Sequence, residues 1–244
     1  MQNIFMKISF DGARYHGFQI QPNAITVQEV LEKTLSQIIG EDISVIGCSR
    51  TDAGVHAKEF CFNFKSETAI PVDGLVRAMN SYLPEDIAVN FAEKKEEDFH
   101  SRYDAKEKEY RYVIYGGKNR NPFMAHRALY YNREIDISLL NRACKFFIGK
   151  HDFAAFSASG REYKSTERTI KSCSIEKQGD IIEFSVSADG FLYNMVRIMV
   201  GTLLEINEGK ILPEDIPEII KKKDRSSAGR TAPSEGLYLN RVIY

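Results

Sequence analysis

The run from Leu192 to Glu208, LYNMVRIMVGTLLEINE, constrains the fold more than any other part of the chain. Its apolar residues leave no polar stripe of the width a surface helix needs, so it reads as a helix buried nearly all round. The most apolar stretch, Phe191–Ile206, is too short to span a bilayer comfortably and carries Arg197 in its middle. A helix of this kind needs packed layers around it. Period-two strands are on hand to supply them. Phe60, Phe62 and Phe64 alternate with Cys61 and Asn63, and Tyr110, Tyr112 and Ile114 alternate with Arg111 and Val113.

The remaining elements fall into two similar runs. Ile4–Phe10 reads as a strand ended by Asp11-Gly12. Thr26-Val-Gln-Glu29 is a capping box opening a helix to about Ile39, with Gly40 as its stop. A short strand over Ile43–Cys48, a polar turn over Ser49–Gly54, a helix over Leu75–Tyr82 and a strand over Ile87–Phe91 follow. A comparable order recurs after residue 104. Asp136–Gly149 reads as a helix with an Asp cap and a Gly stop. Thr166–Lys177 and Ile181–Ala188 form a hairpin around Gln178-Gly179-Asp180. Pro213 opens a short helix, and Leu237–Ile243 is a terminal strand. The expectation is an α+β protein of two sheet-and-helix lobes, 1–103 and 104–244, with a binding cleft between them.

Composition narrows the function classes without naming one. Apolar residues at 43% and charged residues at 27% exclude collagen, a coiled coil and a disordered polymer. The net charge of −1 hides patches. Residues 100–129 hold seven basic and three acidic side chains, and residues 221–230 hold five and one. Residues 85–98 supply the balancing acid. Cys48, Cys61, Cys144 and Cys173 have no zinc spacing, and His16, His56, His100, His126 and His151 have no metal-ligand spacing. The N-terminus lacks a signal-peptide core, so a cytoplasmic chain with reduced thiols is expected. GxGxxG, GxxxxGK[ST] and HExxH motifs are absent, as is the deaminase HxE pattern.

Three places could carry chemistry. Arg50-Thr51-Asp52-Ala53-Gly54-Val55-His56-Ala57 joins two expected strands. Its Asp-x-Gly is ordinary turn chemistry, but a basic residue precedes Asp52 by two positions and a histidine follows by four. Lys106–Tyr112 is either a charged edge strand or an aromatic platform for a base, with phosphates held nearby. Arg197 in an apolar helix needs a carboxylate partner, either a plain structural one or Asp52.

Taken together, these segments resemble the tRNA pseudouridine synthase A family. RTDAGVHA at Arg50–Ala57 matches its signature over all eight positions. Tyr15-His-Gly-Phe18-Gln19-Ile-Gln21-Pro22 resembles YxGWQxQP, Phe191–Arg197 resembles FLYHMVR, and Ala232–Leu239 resembles APPEGLYL. Phe99–Tyr112 resembles the first strand of the family's second lobe. Phe18 stands where Trp is usual, Asn194 where His is common and Ser234 where Pro is common. Lys58-Glu59 departs from the LGQVxxF that often follows the signature.

The resemblance implies the pseudouridine synthase fold around a basic cleft. It implies isomerisation of uridine at positions 38, 39 and 40 of the tRNA anticodon stem-loop, by a homodimer with no cofactor, no metal and no membrane partner. The family's catalytic aspartate maps to Asp52, its stacking tyrosine to Tyr110, and the buried arginine that pairs with its carboxylate to Arg197. Arg50 is expected to fill the space of the everted base or brace the backbone, and Leu237 to line the uracil pocket. Arg102, Lys106, Lys108, Arg111, Lys118, Arg120 and Arg127 are candidate phosphate contacts. Two rival readings are a non-catalytic RNA-binding or RNA-folding protein and a nucleoside hydrolase. The hydrolase reading needs a second carboxylate that the signature lacks.

Overall fold

A computed structural model of the chain describes residues 1–160 and 163–244. In chain order its elements are β1 (Gln2–Phe10), α1 (Val27–Ile39), β2 (Ile46–Gly47), β3 (His56–Ser66), α2 (Val72–Tyr82), β4 (Ile87–Lys95) and β5 (Glu107–Tyr115). They continue with β6 (Leu129–Tyr130), α3 (Ile137–Lys145), β7 (Gly149–Asp152), β8 (Glu167–Gln178), β9 (Ile181–Ala188), α4 (Met195–Asn207), α5 (Ile216–Lys222) and β10 (Leu237–Ile243). The class is α+β, as the sequence indicates. One unit comprises Met1–Lys106 with Leu239–Tyr244, and the other Glu107–Tyr238. No helix among the described residues is long and apolar enough to cross a membrane.

In the first unit the strand order is β4-β1-β3-β10, with β2 adding to β3. β1 runs antiparallel to β3, setting Ile4, Met6 and Ile8 opposite Phe64, Phe62 and Phe60. All six are buried. The alternation in β3 does not separate a wet face from a dry one. Cys61 and Asn63 are as fully buried as the phenylalanines, because the second face is covered too. There Phe5 meets Phe99 and Tyr244 edge-on, at ring separations of 5.4 and 5.2 Å. Thr26 caps α1 by accepting from Glu29 N–H, and Gly40 ends it in the left-handed region at φ 81°.

The strand expected over Ile43–Cys48 shrinks to Ile46–Gly47. The backbone before it is satisfied by α1 instead. Ser36 Oγ accepts from Ile43 N–H at 3.0 Å, and Glu32 Oε1 accepts from Val45 N–H at 2.9 Å.

In the second unit the order is β5-β9-β8-β7, with β6 parallel to β5. The hairpin closes as expected, with Gln178 opposite Ile181. α3 has its Asp136 cap but ends at Lys145 rather than at Gly149. Its last carbonyls are taken by the amides of Phe146, Phe147 and Ile148, each three residues on, and Gly149 begins β7. α4 starts at Met195 rather than Leu192, since Asn194 is left-handed at φ 59° and breaks the helix. Ten of its thirteen residues are buried, as the all-round apolar pattern requires.

The two units share a device. Asn80 of α2 bonds both the N–H and the C=O of Val89 in β4, at 2.7 and 2.8 Å. Asn141 of α3 does the same to Ile175 in β8, at 2.9 and 2.8 Å. Each amide side chain thereby docks its helix on a strand at fixed register.

Candidate active site

The signature loop lies between β2 and β3, and its backbone is held by the segment that follows β1. Phe18 N–H donates to Thr51 O at 3.2 Å, and Gly54 N–H donates to Tyr15 O at 3.1 Å. Asp52 O accepts from Val55 N–H at 3.2 Å, which closes the turn. Segment 15–18 is itself tied to α1. Val27 N–H donates to Gly17 O at 3.2 Å and Gln28 N–H to Phe18 O at 2.9 Å. Gly17 sits at φ +89°, and a Cβ there would lie 2.4 Å from Thr51 O. Only glycine lets the two backbones approach this closely. Tyr15 is buried, and its hydroxyl donates to Asp86 Oδ1 at 2.6 Å. Burial and the Asp86 carboxylate push its phenol well above the ordinary range. Asp52 is half-buried and Arg50 exposed on this fixed loop.

His56 closes the lower end of the loop and is almost fully buried. Its Nδ1 accepts from Gly12 N–H at 3.0 Å and lies 3.1 Å from Asp11 Oδ1. One ring nitrogen cannot accept from Gly12 and also donate to Asp11. The first arrangement satisfies a buried amide, and Asp11 Oδ1 has Ala13 N–H at 3.0 Å. His56 therefore acts as a clamp on the backbone.

The other expected site residues belong to the second unit. Tyr110 lies on β5, opposite Val186, with 6% of its surface exposed. Its ring meets Phe191 edge-on at 5.0 Å. Arg197, in the first turn of α4, is half-buried rather than buried, although its neighbours Met195, Val196 and Ile198 are buried. Its Nε donates to Ala232 O at 2.7 Å, and its Nη1 to Asn194 Oδ1 at 2.9 Å. Ala232 N–H donates back to Arg197 O at 3.1 Å. The motif around Ala232 is thus stitched to the start of α4.

Tyr112 completes this stitch and was not singled out by sequence. Fully buried, it donates its hydroxyl to Pro233 O at 2.8 Å. Burial raises its phenol well beyond the ordinary range, against the opposing pull of the nearby Arg197 charge. Its period-two relation to Tyr110 was the available signal. The structure therefore brings Tyr110, Tyr112, Arg197 and the segment before β10 into one connected patch of the second unit. Leu237, buried, opens β10 directly after that segment.

Among the expected phosphate contacts, Arg111 is already engaged by Glu109 at 3.1 Å and Glu183 at 2.9 Å. Strand pairing of β5 with β9 puts Glu183 within its reach, which sequence alone did not reveal. Lys118, Arg120 and Arg127 lie in exposed loop positions.

Comparison with known proteins places these features in context. A family model described as tRNA pseudouridine synthase matches residues 6–104 and 143–244. A protein of Thermoanaerobacter sp. strain X514 named tRNA pseudouridine synthase A is 47% identical over 244 residues, covering all of both chains. Proteins of the same name from Acetivibrio thermocellus and Clostridium acetobutylicum are 45% and 44% identical, again with full coverage of both chains.

Proposed function

The chain belongs to the tRNA pseudouridine synthase family and is an isomerase acting on tRNA uridine, and from that premise we propose that it acts at positions 38, 39 and 40 of the anticodon stem-loop, with Asp52 as nucleophile and no cofactor. The reaction breaks the bond from C1′ to N1 of the uracil and makes one from C1′ to C5. The hydrogen on C5 leaves and N1 gains one, so substrate and product are isomers. No group is lost, and no oxidant or cosubstrate is needed for balance.

That chemistry asks for one carboxylate held still while the base is detached and turned. Water has to be kept from the open ribose carbon. The observation that carries the reading is the fixation of the Asp52 loop. Two backbone hydrogen bonds from Tyr15 and Phe18 hold it, and a glycine permits the contact. A positioned nucleophile of this kind needs little further motion to attack. Tyr110, Arg197, Arg50 and Leu237 are proposed as substrate-binding residues, and the target base must leave the helical stack to reach them. A homodimer in the cytoplasm is the accompanying expectation.

The test is Asp52→Asn assayed by release of tritium from C5-labelled uridine in tRNA. The expected outcome is no release with tRNA binding retained. Wild-type protein that binds tRNA and leaves every uridine unchanged refutes the assignment and favours a non-catalytic RNA-binding role.

A further inference from the structure

A cavity of about 230 Å³ lies wholly within the first unit, beside the signature loop. Its wall includes Phe18, Gln19, Arg50, His100, Arg102 and Tyr103, and none of its lining residues is acidic. The volume lies below the roughly 300 to 1,000 Å³ of pockets for drug-sized ligands, so the occupant is small.

Charge and aromatic surface define that occupant. Arg50 and Arg102 are both exposed, and neither has a carboxylate within ion-pair distance among the described residues. Two guanidiniums beside one cavity without an acid call for a phosphate. Tyr103 is 75% exposed, so its ring is not part of a core. One side leans on His100 at 4.2 Å, and the Arg102 guanidinium lies 5.8 Å from its centroid. An exposed ring beside cations is a platform for a nucleobase. The exposed Gln19 amide can reach the edge of a base placed there.

The turn that carries these groups is fixed by polar atoms placed inside the apolar sheet. Asn63 Oδ1 accepts from Ser101 N–H at 2.9 Å, and Asn3 Nδ2 donates to Phe99 O at 2.9 Å. Asn63 and Asn3 bond each other at 2.9 Å. Tyr244 donates its hydroxyl to Ser101 O at 2.8 Å. Within the turn, Asp104 Oδ2 accepts from His100 N–H at 2.8 Å, and His100 Nδ1 accepts from Arg102 N–H at 3.1 Å. Ser101 is fully buried, so its backbone groups need partners in any case, and the same bonds hold the exposed side chains beside it. Rigid presentation of His100, Arg102 and Tyr103 is what the anchoring achieves.

We propose that this cavity holds a second nucleotide of the RNA substrate, an unpaired one from the anticodon loop, with its base against Tyr103 and its phosphate between Arg50 and Arg102. The proposal rests on the reading of the chain as a tRNA-modifying enzyme and adds to it a subsite for single-stranded RNA. The pocket then selects for an open loop, because a base locked in a duplex cannot enter.

The experiment uses the full chain and anticodon stem-loop RNAs, each carrying 2-aminopurine at one loop position other than the target. Fluorescence titrations with wild type, Tyr103→Ala, Tyr103→Phe and Arg102→Ala are paired with tritium-release kinetics on tRNA. One loop position should be quenched by wild type and by Tyr103→Phe but not by Tyr103→Ala. Tyr103→Ala should raise KM about 10-fold, as expected for loss of one stacked base, with kcat close to wild type. Arg102→Ala should reduce the slope of log affinity against log salt by about one phosphate contact. Tyr103→Ala that matches wild type in KM and in quenching at every loop position overturns the subsite. A wild-type enzyme that quenches one position yet converts no uridine supports the subsite and refutes the underlying activity instead.

Discussion

Gly17→Ala is the perturbation that most directly tests whether Asp52 works by being held. The new Cβ would start 2.4 Å from Thr51 O and 3.2 Å from the carbonyl carbon of Asp52, where contacts below 3.0 Å are essentially never seen. The loop must therefore move by about half an ångström or more, directly at the residue that carries the carboxylate. Backbone strain at φ +89° adds a penalty of about 1–3 kcal/mol. Overpacking adds about 1–3 kcal/mol more, part of it relieved by the loop shift. A net loss of about 2–4 kcal/mol lowers the melting temperature of a chain this size by roughly 5–15 °C.

The effect on catalysis should be larger than stability alone accounts for. A displacement near 1 Å at a reacting group can cost about 100-fold in rate, so kcat should fall by about 10- to 100-fold at a temperature where the protein is fully folded. Gly40→Ala is the control. Its φ of +81° imposes similar strain, but its Cβ would meet nothing within 4 Å. Calorimetry and tritium release on both variants separate the two terms. Gly40→Ala should lose stability and keep kcat. If Gly17→Ala also keeps kcat while losing stability to the same degree, the loop clamp has no role in positioning Asp52.

Three further outcomes follow from packing and charge. Asn63→Leu fits the apolar strand but strands Ser101 N–H and the Asn3 amide, at about 1–3 kcal/mol for each unsatisfied group; urea denaturation should show the loss. Gly201→Ala would set a Cβ 1.7 Å from Arg230 O, inside the stitch between α4 and the segment before Ala232. It should destabilise by about 1–3 kcal/mol or more by thermal melt. Glu208, nearly buried, is held at about 2 by bonds from Arg230 and Lys210, well under the ordinary 4.5. A lowered carboxylate adds stability that is fully present above about pH 4.5 and is lost as pH falls through about 2. The stability difference between wild type and Glu208→Gln should therefore shrink steadily across that window.

Local signals were legible where one element carried them. The Thr26 cap, the Gly40 stop, the Asp136 cap and the 178–181 hairpin turn are each set by a few neighbouring residues, and each stands where the sequence places it. The boundaries that moved depend on distant partners. Ile43–Val45 lost its strand because α1 side chains took its amides, and α4 lost a turn to the left-handed Asn194. Asn63 carried a signal that alternation obscured. A period-two strand makes a polar residue look like the wet face, and only a second covered face turns it into a buried anchor. The roles of Tyr112 and Ala232 depend on bonds between segments more than a hundred and more than thirty residues apart, which no local pattern records.

The departures from the family pattern follow the same division between backbone and side chain. Phe18 replaces Trp, yet its contribution to the signature loop is made by its own N–H to Thr51 and its C=O to Gln28, which any residue supplies. Its ring only has to pack, and it stacks on Phe60 at 4.2 Å. Asn194 replaces His at a left-handed position that asparagine tolerates well, and its Oδ1 supplies the acceptor that Arg197 uses. Glu59, in the altered stretch after the signature, pairs with Lys7 at 3.2 Å and accepts from Val242 N–H at 3.4 Å. It serves the sheet rather than the loop. Side chains whose task is to fill space or to accept one hydrogen bond have been exchanged. Gly17, whose lack of a side chain lets the loop be gripped, has not.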